Sequence, residues 1–375
     1  MKQMAAAMSP FSLILDEANT AVLEPEAVEE AVPRGGRLQD RFGRAITDLR
    51  VSVTDRCNYK CVYCRTGNEG AQYTELAIAD YMRMVRLFVS LGVEKIRLTG
   101  GEPLLRKGLV EMVRELAAMR TAYLPDGSFA EGMGQPLDIA LTTNGHLLEG
   151  LAAPLKEAGL NRVTVSMDAV DAETFVAITR VPRSFDRVLA GVRAAKAAGL
   201  EPVKVNCVLL RGFNDSEIEQ FGEFSRREGV IVRFIEWMPL EEDRSWKRET
   251  VVTMDEIVAR LHAYRPLVEL APNAASETAK RFTFDDGVGE IGIIAPVSRP
   301  FCGHCSRVRL TSDGKIRTCL FSQSDHDLYG EMVRGGTDAE LAAYIRRIVM
   351  RKEERHHIGE PGFQKPSRNM VHIGG

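Results

Sequence analysis

Six of the seven cysteines fall into two tight groups. Cys57, Cys61 and Cys64 stand at C-x3-C-x2-C in "RVSVTDRCNYKCVYCRTGN", and Cys302, Cys305 and Cys319 at C-x2-C-x13-C in "FCGHCSRVRLTSDGKIRTC". A closed tetrahedral site wants four ligands, and each group offers three. Three thiolates can hold zinc with a water, or with a ligand from elsewhere; His304 or His326 would serve the second group. They can equally hold a [4Fe–4S] cubane, which normally takes four cysteines. One iron then stays open to bind a substrate. An odd cysteine count, a long chain and this clustering argue for metal binding in a reducing, cytoplasmic setting rather than for disulfides. Cys207, alone in "VKVNCVLL", reads as a small buried hydrophobe.

A second set of residues asks for an anion. Arg307 and Arg309 are two apart in "SRVRL", so in a strand they share a face. Arg50 precedes the first cysteine loop, Lys204 falls on a fifth strand-like run and Arg233 on a sixth. Cations inside a barrel are costly unless they meet an anion. Charge-assisted contacts to phosphate are worth about 1.5–3 kcal/mol each, and a triphosphate would satisfy all five.

The elements that must position these residues follow a repeating pattern. Strand-like runs occur at 46–54, 95–100, 138–144, 162–168, 202–210 and 230–237, with amphipathic helical stretches between them. Several of those stretches end in Gly, a favoured helix C-cap. Such alternation implies a parallel sheet with right-handed crossovers. Six units fall short of a closed eight-fold barrel, so a partial α/β barrel of TIM type is expected over 35–240. Its active site would lie at the strand C-termini. From 241 to 375 the rhythm changes to a smaller α+β segment, with hairpin signals at Asp286-Gly287 and Asp313-Gly314. Residues 121–137 form a turn-rich insertion. The acidic segment 1–34 lacks arginine before Arg34 and reads as a disordered or loosely attached tail, not a transit peptide.

Composition excludes other classes. The chain has 375 residues, 45% hydrophobic, enough for a sizeable core. A net charge of −3 gives no basic field for nucleic acid. No apolar run reaches the roughly 18 residues of a membrane span.

The first cysteine group, with Tyr63 just before its last cysteine, resembles the signature of the radical S-adenosylmethionine enzymes. "LTGGEP" (98–103), one β/α unit later, is similar to that superfamily's GGEP motif. "SMDA" (166–169) places Ser166 at its ribose-contacting position. The longer stretches "RLQDRFGRAITDLRVSVTDRCN", "LTTNG", "VKVN", "RFIEWMP", "FCGHCSRVRLTSDGKIRTCL" and "HHIGEPGF", with the terminal Gly374-Gly375, resemble one branch of it over about 37–375. That branch cyclises GTP in the first step of molybdenum cofactor biosynthesis.

The resemblance implies two [4Fe–4S] clusters: a radical-generating one on Cys57, Cys61 and Cys64, and a substrate-binding one on Cys302, Cys305 and Cys319. In the superfamily the reduced first cluster cleaves S-adenosylmethionine to a 5′-deoxyadenosyl radical. Here that radical would take hydrogen from ribose C3′, and the carbon radical would attack guanine C8. The resemblance places Tyr63, Gly100, Gly101, Glu102, Ser166 and Met238 against S-adenosylmethionine. It places Arg50, Lys95, Arg97, Thr142, Lys204, Arg233, Arg307 and Arg309 against GTP. Gly374, Gly375 and Arg50 would take part in catalysis. An external electron donor, a homodimer and a cyclic pyranopterin monophosphate synthase as pathway successor are implied by the family alone. Arg65-Thr66 replace the Met-Pro common after the third cysteine. Two rivals remain at this point. A peptide-modifying radical enzyme would usually carry more downstream cysteines. A zinc-binding interaction protein would need no S-adenosylmethionine.

Overall fold

The computed structural model describes residues 36–64, 71–124, 128–130, 134–241 and 245–373. The segment 1–34, Arg65-Thr66 and Gly374-Gly375 lie outside the described residues.

The six anticipated strands form within the predicted runs: β1 (Asp48–Ser52), β2 (Lys95–Thr99), β3 (Asp138–Thr143), β4 (Arg162–Ser166), β5 (Lys204–Leu209) and β6 (Ile231–Glu236). They pair in chain order, all parallel. Helices α1 (Ile78–Ser90), α2 (Leu109–Ala117), α3 (Leu148–Glu157), α4 (Ala172–Thr179), α5 (Ser184–Ala197) and α6 (Ile218–Glu228) fill the crossovers. On α1 the buried Tyr81, Met84, Val85 and Phe88 recur at three- and four-residue spacing, which makes one apolar stripe. The short α4 escapes the sequence pattern; its start is fixed by Asp171, whose side chain accepts from the Thr174 N–H.

Strand alternation separates two environments. Leu49, Val51, Ile96, Leu98, Ile139, Leu141, Val163, Val165, Val205 and Cys207 join one continuous apolar core with the helices. The opposite parity carries Arg50, Arg97, Thr142, Thr164, Lys204, Asn206 and Arg233. The apolar core therefore lies outside the sheet, and the inner side is polar.

The segment after 240 contributes more to the sheet than hairpins. Strands β7 (Leu267–Leu270), β8 (Lys280–Phe284) and β9 (Glu290–Ile294) form an antiparallel edge, and β9 also runs parallel to β6. At the other edge β10 (Arg307–Leu310) runs parallel to β1 and turns at Gly314 into β11 (Lys315–Arg317), followed by β12 (His326–Asp327). Gly287 and Gly314, at φ 74° and 77°, supply the left-handed positions of the two anticipated turns. The sheet order is β12-β11-β10-β1-β2-β3-β4-β5-β6-β9-β8-β7, and among the described residues β9 does not pair with β10, so the barrel stays open. A second apolar cluster joins segments after β6, β9 and β11 to the chain end: Leu240, Val251, Val297, Phe321, Ile358 and Ile373.

Candidate active site

Parallel pairing of β10 with β1 fixes where the two cysteine groups stand. Cys57, Cys61 and Cys64 follow β1, beyond its C-terminal end. Cys302 and Cys305 precede β10, whose Arg307 pairs with Asp48 at the start of β1. The groups thus approach opposite ends of the strands, separated by about 16 Å of five-residue strand. The polar inner face lies between them.

The first cysteine loop is built against the loop after β2. The Gly101 N–H donates to Thr54 O at 2.8 Å and the Glu102 N–H to Arg56 O at 2.7 Å. A Cβ at Gly100 would stand 2.3 Å from Thr54 O, and one at Gly101 2.4 Å from Arg56 O. The close approach these glycines permit is to the cysteine loop's own backbone. Glu102 is fully buried, and its carboxylate accepts from the Leu104 N–H (2.9 Å), Thr143 Oγ1 (2.7 Å) and the Asn144 N–H (2.7 Å). Burial pushes its carboxyl up to about 7 against these three bonds. Its side chain therefore braces the end of β3.

Tyr63 is buried and its hydroxyl donates to Asp168 Oδ2 at 2.7 Å. Asp168 also accepts from the Val208 N–H at 2.8 Å. This links the cysteine loop to the ends of β4 and β5, beside the half-buried Ser166. Burial, then Asp168 and the two neighbouring thiols, push the Cys61 thiol well up. Met238 packs against the second apolar cluster together with Cys319, Trp246 and Met370.

At the opposite end, Arg44 secures the second cysteine loop. Its guanidinium donates to Cys302 O (2.9 Å), Glu354 O (2.7 Å) and Glu353 O (2.6 Å), and Nε to Asp40. The β10–β11 turn brings Cys319 back towards Cys305, whose charge it feels. Burial opposes ionisation of Cys305, yet Arg307 and Lys352 bring its thiol down to about 6. That favours a thiolate, the ligating form. Among the described residues no three His, Cys, Asp or Glu side chains converge on a single ion. His326 is instead paired opposite Ile316 in β12. A cubane asks for no such convergence, because each thiolate takes a different iron.

Between the two groups lie the predicted cations. Arg309, Arg50 and Arg97 occupy aligned positions on the neighbouring strands β10, β1 and β2. Arg97 donates to Thr142 Oγ1 at 3.2 Å. Arg233 donates from Nε to Asn206 Oδ1 at 2.9 Å and lies across from Gly292, whose missing Cβ leaves its stem room. Burial, then Arg307 and Arg97, press Arg50 down to about 9; burial and Arg233 press Lys204 down to about 8. Arg97 and Arg233 are lowered to about 10, burial again being the largest cause. An array of like charges held from water is a standing demand for an anion.

Lys95 stands apart. It begins β2 and lines a cleft with Arg37, Glu94, Tyr123 and Asp138, where part of the 121–137 insertion closes over the strand entrances. Thr164, Asn206 and the Arg162–Asp138 pair also belong to the inner face, although the sequence motifs do not single them out. Their strand parity is the signal that finds them: Arg162, Thr164 and Ser166 alternate along β4, as Lys204 and Asn206 do along β5.

Comparison with known proteins gives the family and the fold. Residues 51–225 match the Radical SAM superfamily and 230–358 match Molybdenum Cofactor Synthesis C. The GTP 3′,8-cyclase of Corynebacterium glutamicum is 45% identical over 350 residues, 90% of this chain and 89% of its own. That of Acidothermus cellulolyticus is 42% identical over 85% of this chain and 87% of its own. In fold, the chain is similar to Streptococcus suis SuiB bound to S-adenosylmethionine, with a TM-score of 0.56 and 12% identity, covering 87% of this chain and 78% of that one.

Proposed function

The chain belongs to the family of GTP 3′,8-cyclases, radical S-adenosylmethionine enzymes, and from that premise we propose how its own residues carry the reaction. The reaction is the cyclisation of GTP to (8S)-3′,8-cyclo-7,8-dihydroguanosine 5′-triphosphate, the first step of molybdenum cofactor biosynthesis. The observation that carries the residue assignment is the buried cation array between two three-cysteine loops.

Cys57, Cys61 and Cys64 hold the first [4Fe–4S] cluster, with Tyr63, the Gly100–Glu102 turn, Ser166 and Met238 around S-adenosylmethionine. The soft thiolate set suits iron–sulfur, and three donors leave one iron open. Cys302, Cys305 and Cys319 would hold a second cluster, whose open iron would bind the nucleobase. When bound, the first cluster and S-adenosylmethionine supply the 5′-deoxyadenosyl radical; everything else is the chain's work. Arg50, Arg97, Lys204, Arg233, Arg307 and Arg309 take the triphosphate and orient the nucleotide between the two groups. Thr142 and Thr164 hold Arg97 in place. Gly374 and Gly375 take part in the cyclisation; the fully buried Ile373, in the cluster that Cys319 and Met238 contact, supports that role. Residues 35–240 thus supply radical generation, and 241–375 supply the second cluster and the tail. The homodimer, a cytoplasmic location, the electron donor and the successor enzyme are proposed from the family.

The test is anaerobic. The purified protein is assayed for iron and sulfide, then given dithionite, S-adenosylmethionine and GTP, with products read by mass spectrometry. About eight irons per chain, 5′-deoxyadenosine and an isomer of GTP are expected. About four irons with full activity would overturn the second cluster. Zinc without iron would overturn both.

A further inference from the structure

Two histidines stand side by side in "HHIGEPGF", and the fold treats them oppositely. His357 is exposed, and its Nδ1 lies 2.8 Å from Glu360 Oε2. His356 is 9% exposed, and neither of its ring nitrogens, both sealed from solvent, has a hydrogen-bond partner. Its ring is packed 5.3 Å from that of Phe321. Burial, then His357 and Arg307, press it down to about 4, so the ring is neutral and carries one N–H donor and one acceptor. A buried polar group left unpaired costs about 1–3 kcal/mol, and folded interiors rarely keep one. Two on a single ring ask for a partner from outside the chain.

Three connections place this ring at the second cysteine group. Arg44 donates at once to Cys302 O (2.9 Å), Glu353 O (2.6 Å) and Glu354 O (2.7 Å), so the segment that leads into His356 lies against Cys302. Lys352 Nζ donates to Thr318 O, and Thr318 Oγ1 donates to Glu353 Oε2 at 2.7 Å. These bonds fasten the same segment beside Cys319, whose thiol is pushed up by burial and then by Glu353. Arg307, whose charge His356 feels, also acts on Cys305. Each of the three cysteines is thus tied to the His356 segment by a different contact.

The donor set there is sulfur-rich, and the sulfides and thiolates of an iron–sulfur cluster are hydrogen-bond acceptors only. Hydrogen bonds to those sulfurs are one of the means by which a protein sets a cluster's potential. Three cysteines and the nucleobase occupy the four irons in the reading given above, so no iron is left for a ring nitrogen to ligate.

We propose that His356 donates its ring N–H to a sulfur of the second cluster and thereby holds that cluster's potential up. The inference rests on the reading that Cys302, Cys305 and Cys319 hold a cluster. The bond stabilises the reduced, more negative cluster over the oxidised one, so its loss lowers the potential.

The test reconstitutes the full chain anaerobically, unaltered and as His356→Phe, His356→Asn and His356→Gln. Readouts are iron and sulfide content, the potential of each cluster, 5′-deoxyadenosine, and pulsed electron paramagnetic resonance of protein made with ¹⁵N-histidine and reconstituted in deuterium oxide. His356→Phe keeps a ring against Phe321 and removes both nitrogens. It is expected to lower the second cluster's potential and to remove an exchangeable deuteron coupling from that cluster's spectrum. The first cluster's potential, and 5′-deoxyadenosine formed without GTP, should stay as they are. One of the two amides, each of which keeps an N–H donor, should recover part of the shift. An equal potential and an unchanged deuteron coupling in His356→Phe would overturn the inference. So would a strong ¹⁵N coupling in the unaltered protein, which would make His356 an iron ligand. If His356→Phe failed to fold or to take up the second cluster, the deuteron and ¹⁵N couplings of the unaltered protein would still decide. About four irons per chain, all on the first group, would overturn the second-cluster reading and the inference with it; about eight irons without the deuteron coupling would overturn the inference alone.

Discussion

Arg97 and Arg233, on strands either side of β4, both donate to one neutral oxygen, Thr164 Oγ1, each at 3.3 Å. Two buried guanidinium groups thus share an acceptor that carries no charge, and neither forms an ion pair with a carboxylate among the described residues. Burial and then Arg233 lower Arg97, so the two guanidinium groups repel each other and a polyanion between them would relieve that repulsion. Arg233→Gln should therefore raise the melting temperature of the nucleotide-free protein, by a few degrees for roughly 1–2 kcal/mol of relieved strain. The same variant should bind GTP at least about tenfold more weakly. Calorimetry with and without GTP checks both signs; a variant that is less stable when empty would contradict the repulsion.

Lys204 makes the site sensitive to pH. Burial and Arg233 bring its ammonium down to about 8. A lowered lysine means that the unfolded chain binds a proton between the ordinary value, near 10.4, and 8 that the folded protein refuses. Stability therefore falls as pH drops through that window and levels off below it. Bound triphosphate reverses the shift, so GTP binding should take up a proton above about pH 8 and weaken as pH rises further. Titration calorimetry in buffers of different ionisation enthalpy reads the uptake, and Lys204→Met should abolish it.

Arg307 and Arg309 share a face of β10 and serve the second cysteine end of the site. Replacing both by Ala should weaken GTP binding by about two to four orders of magnitude, at 1.5–3 kcal/mol per charge-assisted contact. Equilibrium dialysis under anaerobic conditions measures it. Unchanged affinity would sink the phosphate assignment.

Gly100 and Gly101 leave no space for a side chain against Thr54 and Arg56. Gly101→Ala should push the cysteine loop outward by breaking the Gly101–Thr54 and Glu102–Arg56 backbone bonds. The expected result is loss of the first cluster's iron and of 5′-deoxyadenosine formation, with the second cluster retained. Iron content near half that of the unaltered protein, with normal GTP affinity, would establish this.

Much of the site is legible before folding. The two cysteine groups, "LTGGEP", Arg50 before its loop and the Arg307–Arg309 pair are local patterns, and strand parity alone puts the two arginines of β10 on one face. Other features are not. Arg368 stands in "PSRNM" with nothing about it to suggest its two ion pairs, because its partners lie 43 and 55 residues away, at Asp325 and Asp313. Glu102 looks from its motif like a ligand contact, but three protein donors converge on it from β3 and its own turn.

The sequence by itself determined the six β/α units, the grouping of six cysteines into two sets of three and the demand for an anion. Periodicity, thiol spacing and charge are properties of short stretches, and they survive without a fold. Tertiary structure alone decided that β9 and β10, each readable only as a hairpin arm, also extend the parallel sheet from β6 and β1. That choice sets the second cysteine group at the far end of the strands from the first, and lines up Arg309, Arg50 and Arg97 between them. Parallel pairing joins β6 to β9 across 59 positions and β1 to β10 across 259, through backbone groups that every residue carries, so no local pattern can announce it.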